Sequence, residues 1–127
     1  MMIADTDVLI DYLAGHGASA DRVALEIEHG DLATTAVSRF ELLSGAWSTR
    51  QSAAIGALLA ALSTLPLDAA AADRAAEVRR KLDRAGKGIG MGDSLIAGTV
   101  LVHGGVLLTR NRAHFERVEG LHLGKIA

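Results

Sequence analysis

Short apolar runs alternate with longer helical segments along this chain, and that alternation restricts the fold more than any other feature. Five runs have the length and composition of strands: Met2 to Ala4, Leu32 to Ala36, Thr64 to Leu67, Val106 to Leu108 and, as a last edge strand, Leu121 to Ile126. Strands separated by helical segments favour an α/β fold with a mainly parallel central sheet.

Helices are predicted in the intervals from apolar periodicity and from residues that cap helix ends. Their expected spans are Thr6 to Leu13, Ala20 to His29, Ser38 to about Trp47, Arg50 to Leu62, a helix capped by Asp68 and ending near Arg84, a helix from Asp93 to His103, and a short turn from Asn111 to Arg117. The segment that begins at Asp93 is apolar almost all round, so we expect it to be buried. No repeat or linker divides the 127 residues, which predicts a single domain over residues 1–127.

The composition excludes several kinds of site. No cysteine is present, which rules out disulfides, thiolate zinc sites and cysteine nucleophiles. The longest uncharged run, Gln51 to Leu67, falls short of the roughly 20 apolar residues of a membrane span. The N-terminus lacks a basic segment ahead of its apolar residues, so a cytoplasmic protein without a membrane contact is expected. With a net charge of −2, any polyanion would have to be held by a local patch.

Acidic and amide side chains follow the predicted strands. Asp5 stands directly after the first strand, Glu41 past the second and Asn111 past the fourth, while Asp93 begins a helix. Ligands bind beyond the carboxyl ends of the strands in open parallel sheets, so these side chains could converge on one site. Oxygen ligands favour Mg²⁺ or Mn²⁺ over zinc. None of the five histidines forms a helical His-x-x-x-His pair.

Each acid also has a purely structural interpretation. Asp5 could cap the helix that follows it, and Glu41 matches the last position of a capping box opened by Ser38. Asp93 after a glycine is an ordinary first-turn residue stabilised by the helix dipole. The combination favours a metal site, because carboxylates brought together raise one another's pKa and destabilise the fold unless a cation neutralises them.

Several other side chains have two interpretations. Basic clusters flank the predicted site and could grip phosphates, although the first also fits the solvated face of a helix: Arg79, Arg80, Lys81, Arg84 and Lys87, and then Arg110, Arg112 and Arg117. Asp11, one turn after Asp7, is expected to face solvent or to pair with an arginine. Phe40 and Leu43 are expected in the core, whereas Trp47 could line an apolar groove for a partner helix.

Four segments, in order and over nearly the whole chain, resemble the PIN-domain nucleases, and most closely the VapC-type toxins of bacterial toxin–antitoxin pairs: IADTDVLIDYL, TTAVSRFELLSGA, IGMGDSLIAG and LLTRNRAHFERVEGL. The resemblance implies an α/β/α sandwich around a mainly parallel sheet, a Mg²⁺ or Mn²⁺ site, and endoribonuclease activity on structured RNA such as transfer or ribosomal RNA. It also implies a small antitoxin as partner, and the Ala-rich and Gly-rich helices would suit a homodimer.

The resemblance assigns roles by position. Asp5, Glu41 and Asp93 match the three acidic residues expected to bind the metal and catalyse cleavage. Asn111 stands where many members have a fourth aspartate, so a second metal ion should bind more weakly. The other supporting residues are Thr6, Asp7 and Thr109, and the expected RNA contacts are Arg110, Arg112, Arg80 and Lys87.

Two other functions stay open. A PIN-like module without catalysis would bind a partner and a metal but cleave nothing. The segment DTDVL also resembles the Asp-x-Asp pattern of phosphatases, so an aspartyl phosphotransfer domain is a further alternative. Its expected companion residues are poorly matched, since only Asp68 follows the middle strand.

Overall fold

A computed structural model describes all residues from 1 to 127 as alternating strands and helices. In chain order they are β1 (Met2–Ala4), α1 (Thr6–Ala14), α2 (Ala18–His29), β2 (Leu32–Thr35), α3 (Ala36–Ser44), α4 (Thr49–Ala60), β3 (Ser63–Leu65), α5 (Ala69–Arg84), α6 (Met91–His103), β4 (Val106–Leu108), α7 (Arg112–Phe115) and β5 (His122–Leu123). Every predicted strand and helix is present, with most boundaries shifted by one to three residues.

The strands form one sheet in the order β3, β2, β1, β4, β5, and every pairing is parallel. Ala4, the last residue of β1, pairs with Thr34 on one side and Leu108 on the other. The residues that follow β1 and β4 therefore leave the sheet side by side at its carboxyl edge. The predicted α/β fold with a parallel sheet is confirmed.

Helices cover both faces of the sheet, because successive side chains of a strand point to opposite faces. Ile3, Ala33 and Leu107 join one apolar cluster with residues of α5 and α6. Ala4 and Leu108 join a second cluster with residues of α1, α2 and α4. Two cores on opposite faces give the three-layer α/β/α arrangement. None of the helices has both the length and the apolar composition required to cross a bilayer.

The start of α3 differs from its prediction. Thr35, not Ser38, is the N-cap residue, and its hydroxyl accepts a hydrogen bond from the Ser38 N–H at 3.1 Å. The helix therefore begins at Ala36, and Glu41 lies in its second turn, too far along to reach the N-cap. The capping box predicted for Ser38 and Glu41 is wrong, which leaves the Glu41 carboxylate free for contacts with another element.

The orientation of α3 also corrects the predicted core. Phe40 and Leu43 are 69% and 47% exposed, whereas Leu42 is buried at 4%. Ser38 and Leu42 are four residues apart and occupy the stripe that faces the sheet, so Phe40, between them in sequence, lies on the opposite side. The prediction that Phe40 and Leu43 are core residues is wrong. Trp47, beyond the end of α3, is 90% exposed.

Helices α5 and α6 pack closely at a glycine. A Cβ atom placed on Gly98 would lie 2.5 Å from the backbone nitrogen of Ala75 and 2.6 Å from its Cβ. Only glycine allows this approach, because real Cβ contacts are longer. The contact fixes α6 against α5, and α6 in turn carries Asp93 in its first turn.

Candidate active site

Asp5 is held at the junction of β1 and α1 by neutral donors. It is the N-cap residue of α1, and its Oδ1 accepts the Thr6 N–H at 2.8 Å. Its Oδ2 accepts the hydroxyl of Thr109 at 2.7 Å. Thr109 follows β4, the neighbour of β1, and is fully buried. The capping role expected for Asp5 is therefore real, and it coexists with a position at the centre of the sheet edge.

The carboxyl group of Asp5 is poorly stabilised as an anion. Asp5 is only 6% exposed. Burial raises its pKa to about 7, the Thr109 hydrogen bond opposes that rise, and the charges of Asp7 and Asp93 add to it. A buried carboxylate whose partners are neutral or acidic has the electrostatic character of a cation ligand.

Glu41 reaches this region from α3. Its Oε1 accepts the hydroxyl of Thr6 at 2.7 Å, and the same hydroxyl lies 2.9 Å from the Oγ of Ser38. Thr6 therefore stands between Asp5 and Glu41 and links α1 to α3. The expectation that Glu41 lies at the same sheet edge as Asp5 agrees with this contact, which is made through Thr6.

Asp93 is anchored by two residues from the other side of the edge. Its Oδ2 accepts a hydrogen bond from Nδ2 of Asn111 at 3.1 Å and lies 2.8 Å from Nδ1 of His114. Asn111 also donates its backbone N–H to the Thr109 hydroxyl at 3.0 Å. Asp93, Asn111, Thr109 and Asp5 are thus joined in one hydrogen-bonded chain.

Sequence reasoning missed His114. A spacing of four residues between histidines indicates a helical metal-binding pair, but it carries no information about a single histidine that contacts a distant acid. A usable signal was present: His114 follows Asn111 by three residues at a helical turn, which places both on one side of α7.

Asp7 and Asp11 take different roles. Asp7 Oδ2 accepts the Arg110 N–H at 3.0 Å, while its Oδ1 is buried without a hydrogen-bond partner. Burial raises the pKa of Asp7. Asp11 pairs with the guanidinium of Arg110, at 2.6 Å from Nε. Of the two alternatives expected for Asp11, solvent exposure or pairing with an arginine, the structure shows the pairing.

The basic residues predicted to contact RNA are not equivalent. Arg110 adjoins the acidic residues, but its charge is shared with Asp11. Arg112 donates from Nη1 to the Gly124 carbonyl at 3.1 Å and lies 3.4 Å from Glu116. Arg80 and Lys87 are exposed, and the structure connects neither side chain to the acidic residues. A role of Arg80 and Lys87 in RNA binding stays a prediction.

The chemistry of this edge fits a hard divalent cation. The available donors are carboxylate oxygens, one of which, Asp7 Oδ1, is buried and uncommitted. No group of three or more acidic or histidine side chains meets the geometry of a metal site as the side chains stand. An ion would therefore be held after side-chain rotation, for which the exposed Glu41 has the most freedom.

Comparison with known proteins identifies the family of the chain. The PIN domain model matches residues 2–121. Ribonuclease VapC10 of Mycobacterium tuberculosis is 36% identical over 121 residues, which cover 95% of this chain and 90% of that protein. The tRNA(fMet)-specific endonuclease VapC of Shigella flexneri is 32% identical, with 92% and 91% covered.

Solved structures give the same result. The crystal structure of DNA-bound VapBC from Salmonella typhimurium superposes with a TM-score of 0.87 at 26% identity, covering 99% of this chain and 98% of that one. VapBC2 from Rickettsia felis, bound to a DNA fragment from its promoter, has the same fold, with a TM-score of 0.83 at 18% identity. The chain belongs to the PIN domain family. Within that family, it groups with the VapC ribonucleases.

Proposed function

We propose that this protein is a divalent-metal-dependent endoribonuclease that acts as the toxin of a type II toxin–antitoxin pair, with structured RNA such as transfer or ribosomal RNA as its substrate. The observation that carries the proposal is Asp5, a buried carboxylate at the carboxyl edge of the sheet whose pKa is raised to about 7. The VapC relatives named as a ribonuclease and as a tRNA-specific endonuclease support the choice of RNA.

The proposed ligands of the metal are Asp5, Asp93 and Glu41, and the ion is Mg²⁺ or Mn²⁺. When bound, the ion supplies a Lewis acid for the phosphodiester and lowers the pKa of the attacking water. This chemistry needs no nucleophile from the protein, which suits a chain without cysteine. Asn111 contributes no charge where a fourth acid would stand, so a second ion should bind more weakly.

The residues around these acids hold them in place. The Thr109 hydroxyl fixes Asp5 through Oδ2, and the Thr6 hydroxyl fixes Glu41 through Oε1. Asn111 and His114 both engage Oδ2 of Asp93, which leaves its Oδ1 available for the ion. Asp5 and Asp93 are therefore held in place before an ion binds, and the exposed Glu41 would rotate to complete the ligand set.

The proposed partner is a small antitoxin, as in the VapBC complexes that share this fold. The exposed side chains of Phe40, Trp47 and Met91, which are 69%, 90% and 63% exposed, supply apolar surface for such a partner. Homodimer formation and a cytoplasmic location, both expected from the sequence, stay predictions.

The test is cleavage of total cellular RNA by antitoxin-free protein with Mn²⁺, Mg²⁺ or a chelator. Asp5→Asn and Asp93→Asn are compared with Asp73→Asn, which makes the same charge change at an exposed position of α5. We expect discrete, metal-dependent fragments from the parent and from Asp73→Asn only. Fragments that persist in chelator, or that survive either site substitution, would refute the assignment. Metal binding without cleavage would indicate a module without catalysis.

A further inference from the structure

A cavity of about 840 Å³ lies beside the acidic residues. Thr109 connects the cavity to the acidic residues, because it lines the cavity while its hydroxyl donates to Asp5 at 2.7 Å. We call it the α2 cavity, since the first residues of α2 form one wall and the segment after β5 forms another. Its lining includes Ala18, Ser19, Arg112 and Lys125.

The backbone at the start of α2 presents unpaired donors. Gly17 is the N-cap residue and has no side chain to cap the helix. The first N–H to find a backbone acceptor is that of Asp21, which donates to Gly17 O at 3.1 Å. The N–H groups of Ala18, Ser19 and Ala20 are left without intrahelical partners. Such a helix end attracts an anion through both its free N–H groups and its dipole.

Ser19 provides an independent indication of a ligand. Ser19 is only 5% exposed, and it lies in the wall of the cavity. Its hydroxyl makes no hydrogen bond with the rest of the chain, unlike the buried hydroxyls of Thr34 and Thr109. The hydroxyl oxygen is not fully enclosed by the chain, so it is able to donate to an acceptor that occupies the cavity.

The charges of the cavity favour an anionic acceptor. Lys125 is exposed and forms no ion pair, and Arg112 keeps part of its guanidinium exposed. The one acidic side chain in the wall, Asp11, is paired with Arg110. The donors therefore consist of backbone N–H groups, one hydroxyl and two cations, a set typical of phosphate sites.

We propose that the α2 cavity binds a backbone phosphate of the RNA next to the phosphodiester that is cleaved. This inference rests on the proposed function, because the fully buried Thr109 connects the cavity wall to Asp5, and an RNA strand held at Asp5 would place a neighbouring phosphate on the cavity side. The Ser19 hydroxyl and the free N–H groups of α2 bind the phosphate oxygens, and Lys125 and Arg112 supply the countercharge. The site grips the strand without reading its bases.

The first test uses inorganic phosphate and the full ¹⁵N-labelled chain in chelator, observed by two-dimensional NMR. We expect saturable shifts of the amides of Ala18, Ser19 and Ala20. Ser19→Asp should abolish them, because its carboxylate occupies the site, while an acid in the first turn keeps α2 stable. Ala70→Asp is the matched control, since it adds the same charge at the exposed second position of α5.

The second test measures binding of a fluorescein-labelled RNA in chelator, where no cleavage occurs. Ser19→Asp should weaken binding at least about tenfold and reduce the slope of log K against log salt by about 1. Ala70→Asp should change neither quantity. Should Ser19→Asp fail to fold, Ser19→Ala and Lys125→Ala replace it, each with an expected loss of several-fold in RNA affinity.

The outcomes separate this inference from the proposed nuclease activity. The inference is overturned when phosphate causes no saturable shift, when Ser19→Asp keeps that shift, or when Ser19→Asp binds the labelled RNA as tightly as the parent does. In the last case the cavity is a site for free phosphate. If Ser19→Asp loses both the phosphate shift and RNA affinity but the parent cleaves no RNA with metal, the phosphate site stands and the nuclease assignment fails.

Discussion

Asp5→Asn should make the metal-free protein more stable while removing its activity. Asparagine has nearly the shape of aspartate but carries no charge, so it avoids the cost of burying an anion. In the folded protein the pKa of Asp5 is about 7, against an ordinary value of 3.8. Because each unit is worth about 1.4 kcal/mol, the ionised carboxylate costs the fold about 4 kcal/mol.

The sign of the effect follows from linkage. The folded state holds the Asp5 proton more tightly than the unfolded state does, so this group lowers stability as pH rises from about 4 to about 7. At pH 8 the full difference of about 4 kcal/mol should separate Asp5→Asn from the parent. At pH 4 the difference should shrink to about 0.6 kcal/mol.

The assay is thermal and urea unfolding of both proteins in chelator between pH 4 and pH 8. For a domain of this size, 1 kcal/mol corresponds to roughly 3–5 °C in Tm, so a rise of 10 °C or more is expected at pH 8. Added Mn²⁺ should raise the Tm of the parent and leave that of Asp5→Asn unchanged. A stability difference that does not vary with pH, or a less stable Asp5→Asn at pH 8, would refute the electrostatic reasoning.

Three further predictions concern other parts of the molecule. His114→Ala should weaken Mn²⁺ binding and slow RNA cleavage, each by about tenfold. His114→Asn should keep most of the binding and most of the cleavage, because it retains a donor at the position of Nδ1. Mn²⁺ titration followed by thermal shift checks the binding. Gly98→Ala should cost about 1–3 kcal/mol in urea unfolding, while Gly56→Ala, in an open position of α4, should gain about 0.5–1 kcal/mol; equal effects would contradict the close packing of α5 and α6. Phe115→Ala should cost about 3–5 kcal/mol, and Phe40→Ala less than about 0.5 kcal/mol, because the first ring is fully buried and the second is mostly exposed.

The sequence predicted the site in outline because the relevant geometry is local. A strand that ends at Ala4 places Asp5 at the sheet edge, and parallel pairing brings the ends of β1, β2 and β4 to the same edge. Asp5, Glu41 and Asn111 could therefore be chosen from their positions after strands. The four segments that resemble PIN-domain nucleases then assigned Asp93 to the same group.

The orientation of α3 could not be predicted from its sequence. Several apolar stripes are available on this helix, and only contact with the sheet decides which one is buried. The stripe that contains Leu42 is the one buried against the sheet. Phe40 therefore points to solvent, and Glu41 contacts Thr6 and not the start of its own helix. The Glu41 carboxylate can accept a hydrogen bond either from its own helix start, as in a capping box, or from a residue distant in sequence. The tertiary structure decides which of the two forms.

By itself, therefore, the sequence determined the order of strands and helices, the parallel sheet and the acids at its edge, because these follow from periodicity and chain connectivity. Only the tertiary structure decided which partners those acids have. Thr109 binds Asp5 across 104 positions of sequence, and His114 reaches Asp93 from a different helix. Such contacts depend on the packing of whole elements, which sets distances of a few ångströms that no local pattern encodes.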